Sequence, residues 1–218
     1  MVEAIKGKNV IVTGAAVGLG YAIALRFAQL GANVVLADVA EGLLTAAAAR
    51  LASLKLNYAT VAVEAGTAGE AMVERCIDAF GSLDALINNA MLFPEVCTPQ
   101  MTPEQLDHVA CFNLRELERA TQAAARRMMR HKRGGAIVNI GTDDVMPFTR
   151  ASGVELAPHD IKVNAIILNG TGLTLAHEGV AETDLANAAV FLASDARGAM
   201  TGSALTVEHK LATVNHRA

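Results

Sequence analysis

The sequence predicts an α/β fold: a single doubly wound parallel sheet of about seven strands with helices on both faces. Near-continuous Val/Ile/Leu runs alternate with helical patterns along the chain, as expected of strands buried on both faces and joined by helical crossovers. A glycine-rich turn follows the first apolar run and opens the first helix. No linker, second core or tandem repeat interrupts residues 1–218, so one domain is expected.

The first strand, 9–13, is carried by Asn9-Val10-Ile11-Val12. The helix 18–30 is carried by Tyr21-Ala22-Ile23-Ala24-Leu25-Arg26-Phe27-Ala28, with Gly31 as its C-cap. A second strand, 33–37, runs through Val34-Val35-Leu36-Ala37 and ends against Asp38. A helix at 42–54, a strand at 59–63, a helix at 69–80 and a strand at 85–88 follow. Thr102-Pro103-Glu104-Gln105 is a capping box with proline at the first helical position, and it starts the long helix 103–131. Gly134-Gly135 end that helix as its C-cap. Strands at 136–140, 162–167 and 204–207, with helices at 148–157 and 182–193, complete the alternation. The expected strand order is 3-2-1-4-5-6-7, with a ligand crevice at the carboxyl ends of the strands.

The turn reads Thr13-Gly14-Ala15-Ala16-Val17-Gly18-Leu19-Gly20. Leaving a buried strand and opening a helix, it brings backbone N–H groups and the positive end of a helix dipole against a pyrophosphate. Gly14 takes the tight turn, Gly18 lets the backbone approach the phosphates, and Gly20 lets the helix pack close to the sheet. Asp38 lies 18 residues beyond Gly20. A carboxylate there accepts both adenosine ribose hydroxyls and repels a 2′-phosphate, and no Arg or Lys stands at 15–17 or just after Asp38 to welcome one. NAD is therefore expected over NADP. The alternative for Asp38 is a strand-end carboxylate capping the next turn.

Composition excludes other classes. Hydrophobic residues make up 52% and charged residues 18% of the 218, which fits a globular chain rather than a disordered one. A net charge of −4 implies no general attraction to nucleic acid or an anionic membrane. Arg126, Arg127, Arg130, Lys132 and Arg133 read as cations near a helix C-terminus rather than a phosphate patch. No signal peptide is expected, because Glu3, Lys6 and Lys8 lead straight into a strand, and no apolar run approaches the roughly 18 residues of a membrane span. Cys76, Cys97 and Cys111 lack metal or redox spacing, which suits a reducing cytoplasm, and the six histidines show no ligand pair. No metal is expected.

Several segments in order resemble the short-chain dehydrogenase/reductase family. The turn at 13–20 resembles that family's Thr-Gly-x-x-x-Gly-x-Gly cofactor motif. Phe80-Gly81-Ser82-Leu83-Asp84-Ala85-Leu86-Ile87-Asn88-Asn89-Ala90 resembles its fourth-strand motif, and Asn113-Leu114 falls where it places an active-site asparagine. Gly135-Ala136-Ile137-Val138-Asn139-Ile140 is similar to the fifth strand. Glu155-Leu156-Ala157-Pro158 through Val163-Asn164-Ala165 is similar to the approach to the sixth. Phe191-Leu192-Ala193-Ser194-Asp195 and Thr201-Gly202 resemble the closing elements, so the resemblance covers residue 6 to about 208. It implies an NAD-binding Rossmann domain transferring a hydride between NAD(H) and a small alcohol or ketone. By it, Thr13, Gly14, Val17, Gly18, Leu19 and Gly20 would line the dinucleotide, together with Asp38, Val39, Asn89 and Ala90. Met91 stands where a glycine is usual. Asn113 and Thr142 would act in catalysis. The helices 103–131 and 148–157 would build a homodimer or homotetramer.

The proton-transfer pair is the missing piece. The family uses Tyr-x-x-x-Lys one helical turn apart, yet this chain has only Tyr21 and Tyr58, and neither is followed four residues later by Lys. Thr142 stands where a serine is usual, and Glu155 follows after only 13 positions. A helix of about ten residues, roughly 15 Å, still covers a strand of roughly 17 Å, so the crossover closes. The stretch before Glu182 is also trimmed, Leu168-Asn169 stand near the usual Pro-Gly, and Val207-Glu208-His209-Lys210 replaces the usual Val-Asp-Gly-Gly. Two readings stand: internal segments of a longer protein are absent, or the pair has been lost. Resumption of the flanking motifs in register favours the first. The second implies a catalytically inactive NAD-binding module acting as a sensor or oligomer partner. Asp143 and Asp144 offer a replacement base, against the plainer reading of a solvated acidic loop.

Overall fold

The computed structural model describes residues 2–64, 66–89, 102–169 and 182–208. After a single helical turn, α1 (Val2–Ile5), seven strands alternate with six helices. They are β1 (Asn9–Thr13), α2 (Gly18–Gln29), β2 (Asn33–Asp38), α3 (Glu41–Ser53), β3 (Tyr58–Ala62), α4 (Ala68–Phe80) and β4 (Ala85–Asn88) in the first half. The second half holds α5 (Pro103–His131), β5 (Gly135–Gly141), α6 (Met146–Leu156), β6 (Ile161–Asn169), α7 (Glu182–Ala193) and β7 (Ala204–Glu208). All seven strands form one parallel sheet in the order β3-β2-β1-β4-β5-β6-β7.

The period of two along each strand divides the core. Val10 and Val12, with Val34, Leu36 and Ile87, face Ile23, Phe27, Leu51 and Val190 of α2, α3 and α7. Ile11, Val35, Leu86 and Ile137 face Met72, Cys76, Ala124 and Met128 of α4 and α5 on the other side. The sheet is thus doubly wound, and its central strands read as unbroken apolar runs because water meets neither face.

Most boundaries lie within two residues of the expected ones. Strand β6 is longer, 161–169 rather than 162–167, because it is paired on both sides: Gly141 meets Ile167 and Asn169 meets Glu208. The capping box at Thr102 forms as expected, with Gln105 N–H donating to Thr102 Oγ1 and Thr102 N–H donating to Gln105 Oε1. The end of α5 differs. Lys132, at φ 53°, takes the left-handed C-cap, and its N–H bonds the Met128 and Met129 carbonyls. Gly134 instead fits under the Asp160 carbonyl, where a Cβ would stand 2.7 Å away.

The shortened crossover is closed. A 3-10 turn (Asp143–Val145) follows β5, α6 begins two residues earlier than expected, and a second 3-10 turn (Ala157–His159) leads to β6. Pro147 sits in the first turn of α6, where a missing N–H costs nothing. At the other end of α6, Gly153 leaves room for the 201–203 turn: a Cβ there would lie 2.7 Å from Gly202 N. Thr201 and Asn164 stitch that turn to β6, with Val163 N–H donating to Thr201 Oγ1 at 3.1 Å and Asn164 Nδ2 to the Met200 carbonyl at 2.9 Å. Among the described residues, no helix is long and apolar enough to cross a membrane.

Candidate active site

The carboxyl ends of β1, β2, β4 and β5 share one edge of the sheet. Gly14 leaves β1 at φ 63° and Gly18 opens α2 at φ 56°, both in the left-handed region where glycine is unstrained. Gly20 presses against the turn itself: a Cβ there would overlap the Gly14 carbonyl oxygen and stand 2.6 Å from Asn89 Nδ2. Around Gly18 the space is open, with nothing within 4 Å of the position a Cβ would take.

The polarity of this turn is one-sided. Asn89 Nδ2 donates to the carbonyls of Thr13 at 3.2 Å and Gly14 at 3.4 Å, while Asn89 N–H donates to Thr13 Oγ1 at 2.9 Å. Thr13 and Asn89 therefore clamp β1 to β4, and Asn89 takes the Thr13 and Gly14 carbonyls. Val17, the N-cap of α2, has an extended backbone and supplies no side-chain acceptor to the first-turn amides. Those N–H groups have no partner inside the helix. The amides of Ala15 and Ala16 are held by the Ala37 carbonyl and Asp38, so the uncapped first-turn amides of α2 are the ones suited to an anion.

Asp38 ends β2 beside this turn. Its Oδ2 accepts from Ala16 N–H at 2.9 Å and its Oδ1 from Ala40 N–H at 3.0 Å. The carboxylate thus caps the chain after β2 and also holds the glycine-rich turn against it. Each oxygen keeps a further acceptor site, so the cap leaves capacity for sugar hydroxyls. Val17 and Val39, 56% and 66% exposed, flank the turn and Asp38, and Leu19 packs against the core.

At the end of β5, exposed Thr142 donates from Oγ1 to Asp144 Oδ1 at 2.5 Å. Asn113, half-buried on α5, lines a small recess with Asn88, Leu114, Leu117, Ile140, Asp144 and Val145. The recess holds about one water molecule. The structure thus brings Asn113 and Thr142 to the same neighbourhood through Asp144. Thr13, Gly14, Val17, Gly18, Leu19 and Gly20 gather at the turn, Asp38 and Val39 at its flank, and Asn89 beneath it. Ala90 and Met91 lie outside the described residues.

Sequence reasoning missed a buried polar chain under this region. Asn88 Nδ2 donates to Thr121 Oγ1 at 3.1 Å and to Asn139 Oδ1 at 2.9 Å. Asn139 Nδ2 donates to Thr149 Oγ1 at 3.0 Å, and the Thr149 hydroxyl donates to the Val145 carbonyl at 2.8 Å. All four side chains are buried, so each polar atom needs these partners. The available signal was asparagine at the end of two apolar runs, Leu86-Ile87-Asn88 and Ile137-Val138-Asn139.

Neither tyrosine stands on the segment that follows β5. Tyr21 packs on the core with the Arg50 guanidinium 5.6 Å from its ring centroid, and Tyr58 opens the edge strand β3 at the opposite end of the sheet. Of the arginines toward the end of α5, Arg126 pairs with Glu70 at 2.9 Å, and Arg127 and Arg130 line a groove with Glu74 and Asp78 of α4.

The family model for short chain dehydrogenase matches residues 8–145, ending one residue before α6. L-rhamnose 1-dehydrogenase (NAD(P)(+)) of Azotobacter vinelandii is 29% identical, over 92% of this chain and 95% of that protein. A 3-oxoacyl-acyl-carrier-protein reductase of Staphylococcus aureus is 30% identical, over 92% of this chain and 96% of that one. A short chain dehydrogenase structure from Mycobacterium smegmatis superposes with a TM-score of 0.84 at 31% identity, covering 96% of this chain and 95% of its own. The alignment to the rhamnose dehydrogenase spans 243 positions while using 92% of this chain, so about forty of its positions face no residue here.

Proposed function

The chain belongs to the short-chain dehydrogenase/reductase family, and from that premise we propose that it transfers a hydride between NAD(H), rather than NADP(H), and a small alcohol or ketone. The observation that carries this is the turn at 13–20, where Asn89 takes the Thr13 and Gly14 carbonyls and the first-turn amides of α2 receive no side-chain cap. The open space at Gly18 and the close contact at Gly20 make a cradle that side chains at either position would fill or distort. Asp38 adds a negative charge beside the cradle, which favours ribose hydroxyls and opposes a 2′-phosphate.

In this reading residues 13–20 hold the diphosphate, Asp38 and Val39 the adenosine end, and Asn89 and Ala90 the nicotinamide half. The cofactor supplies hydride acceptance and donation. Asn113 and Thr142 orient and polarise the carbonyl oxygen. The rhamnose dehydrogenase and the acyl-carrier-protein reductase differ in substrate, which supports only the shared class of alcohol or ketone. The chain acts as one domain, as a homodimer or homotetramer through α5 and α6. Its cysteine usage supports a cytoplasmic setting, and its charge gives no support for nucleic-acid or membrane partners.

A second reading has a specific observation in its favour. Both tyrosines stand away from the end of β5, and α6 begins within four residues of Thr142. That supports a cofactor-binding module without turnover. A screen of alcohols with NAD and ketones with NADH separates the two: turnover supports the enzyme, and nucleotide binding without turnover supports the module.

A further inference from the structure

We propose that Thr142 and Asp144 form a two-group proton relay at the end of β5, doing the work of a tyrosine–lysine pair that this chain does not carry there. The inference rests on the hydride-transfer reading above. Its geometric basis is the 2.5 Å hydrogen bond from Thr142 Oγ1 to Asp144 Oδ1, in the range of a charge-assisted O–H to carboxylate contact. The two residues belong to the short segment between β5, which ends at Gly141, and α6, which starts at Met146.

That short segment is held from beneath. The Thr149 hydroxyl bonds the Val145 carbonyl at 2.8 Å, and Asn139 and Asn88 tie Thr149 to the sheet. Val145, 2% exposed, packs with Ala165 and Ile167 of β6. The turn carrying Asp144 is therefore fixed on both sides, by the strand before it and the buried chain below it. Asp144 also lines the recess that Asn113 lines from α5. One carboxylate thus touches the surroundings of both groups expected to meet the substrate oxygen.

During alcohol oxidation, the substrate O–H proton passes to Thr142 Oγ1 as the Thr142 hydroxyl proton passes to Asp144 Oδ1. Bound NAD would supply the acceptor for the hydride that leaves the carbinol carbon as the C=O bond forms, so the relay carries only the proton. Asp144 is exposed and returns the proton to solvent. Ketone reduction runs the same steps backward. Thr142 is the group that meets substrate, and Asp144 acts through it.

Binding supplies a readout independent of turnover. A carboxylate near the nicotinamide end attracts the cationic oxidised ring and has no such effect on the neutral reduced ring. Calorimetry on the wild type, D143N and D144N is expected to show D144N raising the ratio of the NAD Kd to the NADH Kd about threefold, with D143N leaving that ratio in place. Alcohol oxidation is expected to fall about a hundredfold in D144N and in T142V, and to recover in T142S, which keeps the hydroxyl. An unchanged ratio in D144N, oxidation undiminished in D144N, or a wild type that binds both nucleotides without turnover would each overturn the relay and leave the cofactor site standing. Failure of the wild type to bind either nucleotide overturns the hydride-transfer reading and the relay together.

Discussion

The Asp38 carboxylate accepts from Ala16 N–H at 2.9 Å, so the group proposed to face the adenosine end also fixes the shape of the glycine-rich turn. Its other oxygen caps Ala40. The proposed selection of the sugar and the organisation of the turn therefore share one side chain. Replacing Asp38 by Ala removes two hydrogen bonds to a charged acceptor and is expected to cost about 1–3 kcal/mol of stability. Denaturant unfolding reads that loss. NADH binding is expected to weaken without a matching gain for NADPH, because the turn that would hold either diphosphate loosens.

Gly18 and Gly20 are expected to respond differently to alanine. At Gly18 the surroundings are open, and the φ of 56° sets the cost at about 1–2 kcal/mol for a left-handed side-chain-bearing residue. At Gly20 the new methyl overlaps the Gly14 carbonyl, so backbone must shift and about 1–3 kcal/mol is lost to overpacking. The displaced turn is expected to weaken NADH binding by more than roughly tenfold. Thermal unfolding and calorimetry on both variants check the contrast.

Asn139 is the centre of the buried polar chain, accepting from Asn88 and donating to Thr149. N139A strands a donor on one side and an acceptor on the other, at about 1–3 kcal/mol for each unpaired group. Chemical unfolding is expected to show a loss of about 2–4 kcal/mol.

Cys76 lies at the α4 side of the sheet, and burial, with a smaller contribution from Asp84, pushes its thiol up to about 12. In the folded protein it stays protonated, while in the unfolded chain it ionises near the ordinary value of 9.0. Stability is therefore complete below that ordinary value and falls as pH rises toward the folded one. The advantage of the wild type over C76A is expected to shrink from about pH 8 to about pH 10.5. In the folded state, a thiol reagent is expected to modify exposed Cys111 and spare Cys76.

The strand order and the glycine turn were legible because each depends on local sequence. Val10 and Val12 alternate with Ile11 across the two faces, and a helix starting after Gly18 leaves few ways to connect β1 to β2. The Asn88–Asn139–Thr149 chain was not legible, since its partners come from different elements and no spacing along the chain announces them. The α5 terminus shows a local limit too: Gly134-Gly135 mark the end of the helix, yet Lys132 takes the left-handed position and Gly134 serves the approach of Asp160. Asn113 and Thr142 were singled out by their order in the motifs, and the structure places both beside Asp144. Their link through Asp144 depends on the 3-10 turn that follows β5, which no motif announces.

The central claim is that residues 13–20 and Asp38 together form a site for the unphosphorylated dinucleotide. Titration of the wild type with NADH and with NADPH under identical conditions tests it most directly. Saturable heat is expected for NADH, at an affinity at least roughly tenfold above that for NADPH. Tighter binding of NADPH, or no heat from either, would contradict it.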